Sequence, residues 1–344
     1  MQIDDIRQRL RELGARPIHE QAILKAWTRG WPLDQCHRDP ATFFPASLRA
    51  ALPALTDELA GLAGAQSEHP SADGSLRLLV RLHDRQSVEA VLLPRDGVCV
   101  STQVGCAVGC VFCMTGREGL RRQVGSAEIV AQVRLARRYR AVRRVVFMGM
   151  GEPAHNLDNV MDAIELLGTL ADIGHKNLVF STVGDPRVFE RLPRGRVKPA
   201  LALSLHTTRA DLRAALLPKA PRIDPADLVA AGERSARETG YPIQYQWTLL
   251  EGINDSDEEL AGIESLLSGK YAVMNFIPFN AGEGLDFRRP TLDRAREMAR
   301  HLHRRGILTK LRQSAGQDVD GGCGQLRARA ERAGAARRSA VDSA

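Results

Sequence analysis

The sequence predicts an α/β fold in which helices cross over between the strands of a parallel sheet, open or curled into a barrel. Three observations carry this. From about residue 98 onward, strand-length apolar runs alternate with segments of helical period. The polar residues with chemical potential stand just after the predicted strand ends, where such sheets place their sites. A hydrophobic fraction of 44% with 26% charged residues gives a chain of 344 residues the means to bury a sizeable core.

The elements follow in order. Residues 4–28 and 45–63 repeat apolar positions at helical spacing, and Pro32, Pro40 and Pro45 punctuate the stretch between them. Ser71-Ala72-Asp73-Gly74 marks a turn before two strands, Leu76–Leu82 and Val88–Leu93. Residues 1–95 therefore read as an accessory region, helical and then a β-hairpin. The core, residues 96–326, opens with strand Val98–Gln103 and continues with Arg144–Met148, Asn177–Ser181, Pro199–Leu205, Ile243–Leu249, Ala272–Ile277 and Ile307–Lys310. Helices are expected at Ser126–Tyr139, Leu157–Ala171, Arg209–Leu216, Asp224–Thr239, Ser256–Leu267 and Leu292–Arg305. Residues 327–344 are rich in Ala and Arg and read as a basic, disordered tail.

Lys and Arg number 48 against 41 Asp and Glu, a formal charge of +7. Part of the excess is local: residues 117–144 hold nine Arg against two Glu, and residues 327–344 five Arg against two acids. Such a surface attracts phosphate backbones, although solvated helix faces and a loose tail account for the same count. No apolar run reaches the roughly 18 residues of a membrane span, and the first residues carry acids in place of a signal-peptide apolar core. These features point to the cytoplasm. Six cysteines are too few for a disulfide scaffold, and a reducing compartment turns attention to metal or redox chemistry.

Cys106, Cys110 and Cys113 lie on a glycine-containing loop after a predicted strand, in the spacing C-x3-C-x2-C. Three thiolates so placed suit three corners of a four-iron–four-sulfur (4Fe-4S) cluster, leaving one iron open to a small molecule. Zinc wants four ligands, and His155, His175 and His206 are the nearest candidates for a fourth.

This spacing, with Phe112 before the last cysteine, resembles the cluster loop of the radical S-adenosylmethionine (SAM) superfamily. A narrower likeness adds to it. Cys99-Val100-Ser101-Thr102-Gln103-Val104-Gly105-Cys106, Phe147-Met148-Gly149-Met150-Gly151-Glu152-Pro153, Phe180-Ser181-Thr182, Ala202-Leu203-Ser204-Leu205-His206, Phe276-Ile277-Pro278-Phe279-Asn280 and Gly322-Cys323-Gly324-Gln325-Leu326 resemble, in order, blocks of the radical SAM RNA adenine methyltransferases (RlmN/Cfr family). The likeness spans residues 89–326 and departs around Ser181–Asp185, around Leu205–Thr208 and in the N-terminal region before the hairpin.

The resemblance implies a partial (β/α)6 radical SAM barrel with an N-terminal helical and β-hairpin accessory region that docks RNA. It implies that Cys106, Cys110 and Cys113 ligate the 4Fe-4S cluster, and that Gly151, Glu152, Ser181, Ser204, Leu205, His206 and Asn280 line the SAM site. It also implies that Cys323 accepts a methyl group from one SAM while a second SAM yields the radical, that Glu89 accepts the ring proton, and that Cys99 closes a transient disulfide with Cys323 on release. The product would be ribosomal or transfer RNA methylated at an adenine ring carbon, C2 or C8, with an electron donor such as flavodoxin. Cys36 matches nothing in the family. Two other readings compete: a radical SAM enzyme acting on a peptide or small molecule, for which Cys323 is dispensable, and a zinc-containing nucleic-acid-binding module.

Overall fold

A computed structural model describes residues 1–282, 284–316, 318–319 and 322–332. Twelve strands form in chain order: β1 (Ala63–Pro70), β2 (Leu76–Leu82), β3 (Ser87–Leu92), β4 (Gly97–Cys99), β5 (Gln103–Gly105), β6 (Leu120–Gln123), β7 (Arg144–Phe147), β8 (Leu178–Thr182), β9 (Ala200–Ser204), β10 (Ile243–Leu249), β11 (Ala272–Pro278) and β12 (Thr309–Leu311). Ten of them make one sheet in the order β1-β2-β3-β4-β7-β8-β9-β10-β11-β12, while β5 and β6 pair separately. Every pairing from β4 to β12 in the large sheet is parallel, and β1, β2 and β3 join as an antiparallel extension at its start.

The helices are α1 (Ile3–Glu12), α2 (Pro17–Arg29), α3 (Pro40–Phe43), α4 (Ala46–Gly61), α5 (Ser126–Ala136), α6 (Leu157–Leu170), α7 (Pro186–Arg191), α8 (Ala210–Leu216), α9 (Pro225–Thr239), α10 (Asp257–Leu267) and α11 (Leu292–Arg304). Helices α5, α6, α8, α9, α10 and α11 fall where the 3.6-residue period places them. Strand β8 is buried along its whole length and β9 nearly so, as parallel strands covered on both faces must be. The core joins β2 and β3 to the parallel strands and to α1, α2 and α4 without a break.

Four local expectations are corrected. The first helical segment, residues 4–28, is two helices, because Leu13 and Gly14 close α1 and Pro17 starts α2. Residues 63–70 form an edge strand whose burial alternates along a mostly polar sequence, so hydrophobicity gave no sign of it. Val98–Gln103 is not one strand: the Val100 N–H still donates to the Val146 carbonyl, but those of Thr102 and Gln103 donate to Met150 and turn the chain into β5. Residues 325–332 are helical, so the expected loose tail begins in a helix, and residues 333–344 lie outside the described residues.

Much of the Arg-rich run is structural. Arg122 pairs with Asp84 and with fully buried Glu128, and Arg137 donates to the carbonyls of Thr28, Val142 and Ala171. These guanidiniums serve the fold and not an open phosphate surface. Among the described residues no helix is long and apolar enough to cross a membrane.

Candidate active site

Strands β5 and β6 close the base of the loop that carries the three clustered cysteines, with Gln103 opposite Gln123 and Gly105 opposite Leu120. The Cys106 N–H donates to the Gly119 carbonyl at 3.0 Å. Gly105 makes this clasp possible: its φ is +82°, and a Cβ there would sit 2.0 Å from the Gly119 oxygen. Inside the loop, the Cys113 N–H donates to Cys110, and the Val111 N–H reaches across to the Leu216 carbonyl at the end of α8.

Burial pushes the thiols of Cys106, Cys110 and Cys113 up, that of Cys106 to about 12; Cys113 raises Cys106 further, and both raise Cys110. Such thiols give up their protons when a metal replaces them. One zinc ion at about 2.3 Å from each sulfur would draw its ligands to within about 4 Å of one another. Among the described residues these three sulfurs do not gather within 4.8 Å as the ligands of one ion do. Three thiols on one short loop, not gathered as the ligands of a single ion, fit a cluster that would give each a different iron.

Beside the loop stand the polar groups at the carboxyl ends of β7, β8, β9 and β10. Glu152 accepts from the backbone N–H groups of Ala154 at 3.2 Å and Val183 at 3.1 Å, and burial raises its carboxyl to about 7. Its own N–H donates to Gln103 Oε1. Ser181, one residue before the end of β8, is buried; Ser204 ends β9, and its carbonyl accepts from Arg213 at 3.3 Å. The Leu205 N–H donates to Gln246, bridging β9 and β10. His206 follows with φ +63°; its Nδ1 accepts the Thr248 N–H at 3.0 Å, and its ring meets Phe112 edge-on with centroids 5.0 Å apart. Burial, seconded by the Arg213 charge, holds the His206 imidazole down to about 3. These groups gather an amino-group acceptor, hydroxyls and an uncharged imidazole against the cluster loop, a donor and acceptor set that fits SAM.

A second, connected site lies on the strands toward β3. A cavity of about 270 Å³ is lined by Cys99, Cys113, Met148, Asn280 and Cys323, among others. Cys99 ends β4, opposite Val91 on β3 and Val146 on β7. Cys323 arrives from the far end of the sequence and directs its sulfur to the Met148 carbonyl at 3.7 Å, while the Met148 backbone also hydrogen-bonds the Cys99 sulfur. Both thiols are free, and burial raises both, that of Cys99 to about 11; each lies in the other's electrostatic field or that of the Glu89 carboxylate. Gly324 lets the chain run against the cluster loop: its φ is +86°, and a Cβ would meet the Thr115 nitrogen at 2.7 Å.

Glu89 sits behind this cavity, 3% exposed. Its Oε2 pairs with Arg77 at 3.1 Å and its Oε1 accepts the Arg327 N–H at 2.9 Å. Thus Cys99, Cys113, Cys323 and Asn280 share one cavity, Glu89 adjoins it through Arg77, and Glu152, Ser181, Ser204, Leu205 and His206 stand beside the cluster loop. Cys36 lines a separate cavity in the helical region, with Trp31 and Phe43. Arg77, Arg213, Met148 and Thr248 were not singled out from sequence. Met148 stood in one of the recognisable blocks without a role of its own, and Arg77 showed only as one of two cations in the strand LRLLVRL.

Residues 100–262 match the family model of the radical SAM superfamily. The chain is 71% identical over 335 residues to a probable RNA methyltransferase of Aromatoleum aromaticum, covering 97% of this chain and 94% of that protein. It is 66% identical over 340 residues to a probable RNA methyltransferase of Pseudomonas aeruginosa, covering 98% of each. Among solved structures, a radical SAM methyltransferase from Sphaerobacter thermophilus superposes with a TM-score of 0.81 at 34% identity, over 95% of this chain and 98% of that one.

Proposed function

The chain belongs to the radical SAM RNA methyltransferases, and on that premise we propose that it methylates an adenine ring carbon, C2 or C8, of ribosomal or transfer RNA through an S-methylcysteine at Cys323. The observation that supports this best is the meeting of Cys323 with Cys99 at Met148, in a cavity that also reaches Cys113 of the cluster loop. A radical SAM enzyme working directly on its substrate has no need of two further thiols there.

When bound, a 4Fe-4S cluster and SAM would supply the methyl group, one-electron cleavage of the sulfonium, an acceptor for the one hydrogen atom lost by the S-methyl group, and a sink for the one electron given up before release. Cys106, Cys110 and Cys113 would hold the cluster; Glu152 would take the SAM amino group, and Ser181, Ser204, Leu205, His206 and Asn280 the remainder. His206 stays neutral in its buried niche, so it offers a hydrogen bond and no charge. Cys323 carries the methyl group and presents it to the base as a carbon attached to sulfur. Covalent attachment divides methylation of an unactivated carbon into separate, easier steps. Glu89 takes the ring proton. Cys99 then gives up its thiol proton and attacks the Cys323 sulfur, forming the S–S bond as the S–CH2 bond breaks, and the released carbon takes up a proton to become the methyl group. A thiol reductant restores the pair. Two SAM molecules are consumed per turnover, and an electron donor such as flavodoxin supplies the reducing electron.

The cavity, about 270 Å³, is near the lower bound of small-ligand pockets, about 300 Å³, and suits one base drawn out of its stack. Mass spectrometry of nucleosides tests the assignment. RNA from cells lacking the protein should lose one methyladenosine, which the wild type restores and Cys323→Ala does not, and the Cys323 peptide should carry a methyl increment. An unchanged nucleoside profile with active SAM cleavage would refute it.

A further inference from the structure

We propose that Arg77 is a positioning residue for this reaction: it fixes the Glu89 carboxylate and the segment bearing Cys323 in one register, so that proton acceptor and methyl carrier face the same base. The proposal rests on the function assigned above, and its grounds are geometric.

Arg77 lies opposite Val91, and Glu89 opposite Leu79, so the two are diagonal neighbours on one face of the β2–β3 pair. Both side chains are 3% exposed, and they meet at 3.1 Å. Among the described residues, the guanidinium also meets the C-terminal segment. Its NH1 donates to the Gly322 carbonyl at 3.4 Å, next to Cys323, and its Nε donates to Ala315 at 3.5 Å. The chain crosses directly above it, since a Cβ on Gly316 would come within 3.1 Å of the Arg77 Cδ and Nε. On the far side, Glu89 accepts the Arg327 N–H. The buried pair therefore grips the segment before and after Cys323.

That grip matters because the described residues from 312 to 324 have no helix or strand of their own, and glycines flank the cysteine on both sides. Such a segment cannot set the position of a sulfur by itself. Charge matters as well: a buried carboxylate needs a partner to remain the anion that accepts a proton. Once Glu89 is protonated, the carbonyls of Gly322 and Ala315 still receive the guanidinium N–H groups. The Arg77 charge also opposes the upward push of burial on the Cys99 and Cys323 thiols.

The test compares Arg77→Met, Arg77→Lys, Glu89→Gln and the Arg77→Met/Glu89→Gln double variant, each as full-length, cluster-loaded protein. Methyladenosine in RNA and 5′-deoxyadenosine from SAM are counted together, and amide hydrogen exchange is followed over residues 314–326. Loss of a general base costs on the order of 10²–10⁴ in rate, and both Arg77→Met and Glu89→Gln should fall in that range while SAM cleavage stays within about threefold of wild type. The double variant should lose less than the product of the two single losses, because the part of the Arg77→Met loss that runs through Glu89 is already gone, and Arg77→Lys should recover at least about tenfold over Arg77→Met. Exchange should quicken more in Arg77→Met than in Glu89→Gln, whose single amide oxygen serves only one of the two N–H donors but leaves the Arg77 bonds to Gly322 and Ala315 in place. Multiplying losses in the double variant, near-wild-type methylation by Arg77→Met, or unchanged exchange in Arg77→Met each overturns the proposal. A wild type that cleaves SAM and methylates no adenosine refutes the assigned function instead, and the exchange result alone then decides whether Arg77 holds the segment.

Discussion

Replacing His206 with asparagine removes a titration that the fold holds far from its ordinary range. In the native chain the His206 ring is 6% exposed, its Nδ1 accepts the Thr248 N–H, and protonation there would set two donors against each other without water to help. Burial first, and the Arg213 charge second, lower it from 6.5 to about 3. Its folded value lies below its unfolded one, so its contribution to stability is present above pH 6.5 and is lost as pH falls toward 3. At pH 7.5 the term is negligible. At pH 5.0 the unfolded imidazole is about 97% protonated and the folded one is not, a difference of about 1.5 logarithmic units. At roughly 1.36 kcal/mol per unit, that is about 2 kcal/mol. Asparagine keeps an acceptor near the place of Nδ1 and tolerates the positive φ, but it does not titrate. Urea unfolding of metal-chelated wild type and His206→Asn at both pH values isolates the term. The wild type should lose about 2 kcal/mol more than the variant between pH 7.5 and 5.0. Equal losses, within about 0.5 kcal/mol, would refute the assignment of a buried, neutral His206.

Cys99→Ala should block release and not attachment: turnover drops below roughly a hundredth of wild type, and a protein–RNA adduct through Cys323 survives denaturing electrophoresis. Absence of that adduct while Cys323 is methylated argues against Cys99 as the resolving thiol. Gly105→Ala forces a methyl group toward the Gly119 carbonyl at a positive φ, for about 2 kcal/mol or more of strain. Its iron content after anaerobic reconstitution should fall below half that of wild type, and full loading with an unchanged melting temperature would contradict the clasp described for the loop. Glu331→Gln removes a carboxylate one-third exposed and shared by Arg121 and Arg327. It should cost less than about 1 kcal/mol and leave methylation within about twofold, and a large loss would mean that this rim network does more than tether the helix.

The alternation of strands and helices was readable because β7, β8, β9 and β11 are nearly unbroken apolar runs and each crossover helix keeps its period. β10 falls at Ile243–Leu249 in both the reading and the structure. β1 escaped because only one of its faces meets the core, and its sequence, AGAQSEHP, carries little apolar signal. The end of β4 was overextended because Val100 still bonds to β7, and nothing in Ser101-Thr102 announces that the chain then turns toward the cysteine loop. Among site residues, the cysteines and Glu152 stood in recognisable blocks. Arg77 did not: Arg77 and Arg81 lie two residues apart twice over on the same strand face, yet Arg81 is exposed and Arg77 is buried. What separates them is the C-terminal segment, more than 230 residues away, which covers one and not the other. Local pattern cannot carry that information.

Antiparallel pairing explains why a hairpin that precedes the barrel brings the Glu89 carboxylate to the candidate site. Reactive groups of parallel sheets collect at the carboxyl ends of the strands, and β4 delivers Cys99 there. Strand β3 runs the other way, with Val91 opposite Cys99. Each residue before Val91 therefore lies one step further beyond the end of β4, which places Glu89 beside Ser101, whose hydroxyl donates to the Glu89 carbonyl at 2.6 Å. A parallel strand in the same place would have carried those residues away from the rim. The C-terminal segment then needs to reach only this one rim to bring Cys323 to Cys99 at Met148, and its contacts with Arg77 and Glu89 fall on the hairpin side of that meeting point. Deleting Ala90 and Val91, with the two residues of β2 that face them, would keep the strand parity but pair Glu89 with Cys99 and withdraw it from the rim by about 7 Å, so the spacing of Glu89 from the β3–β4 pairing, and not only its identity, sets its place in the candidate site.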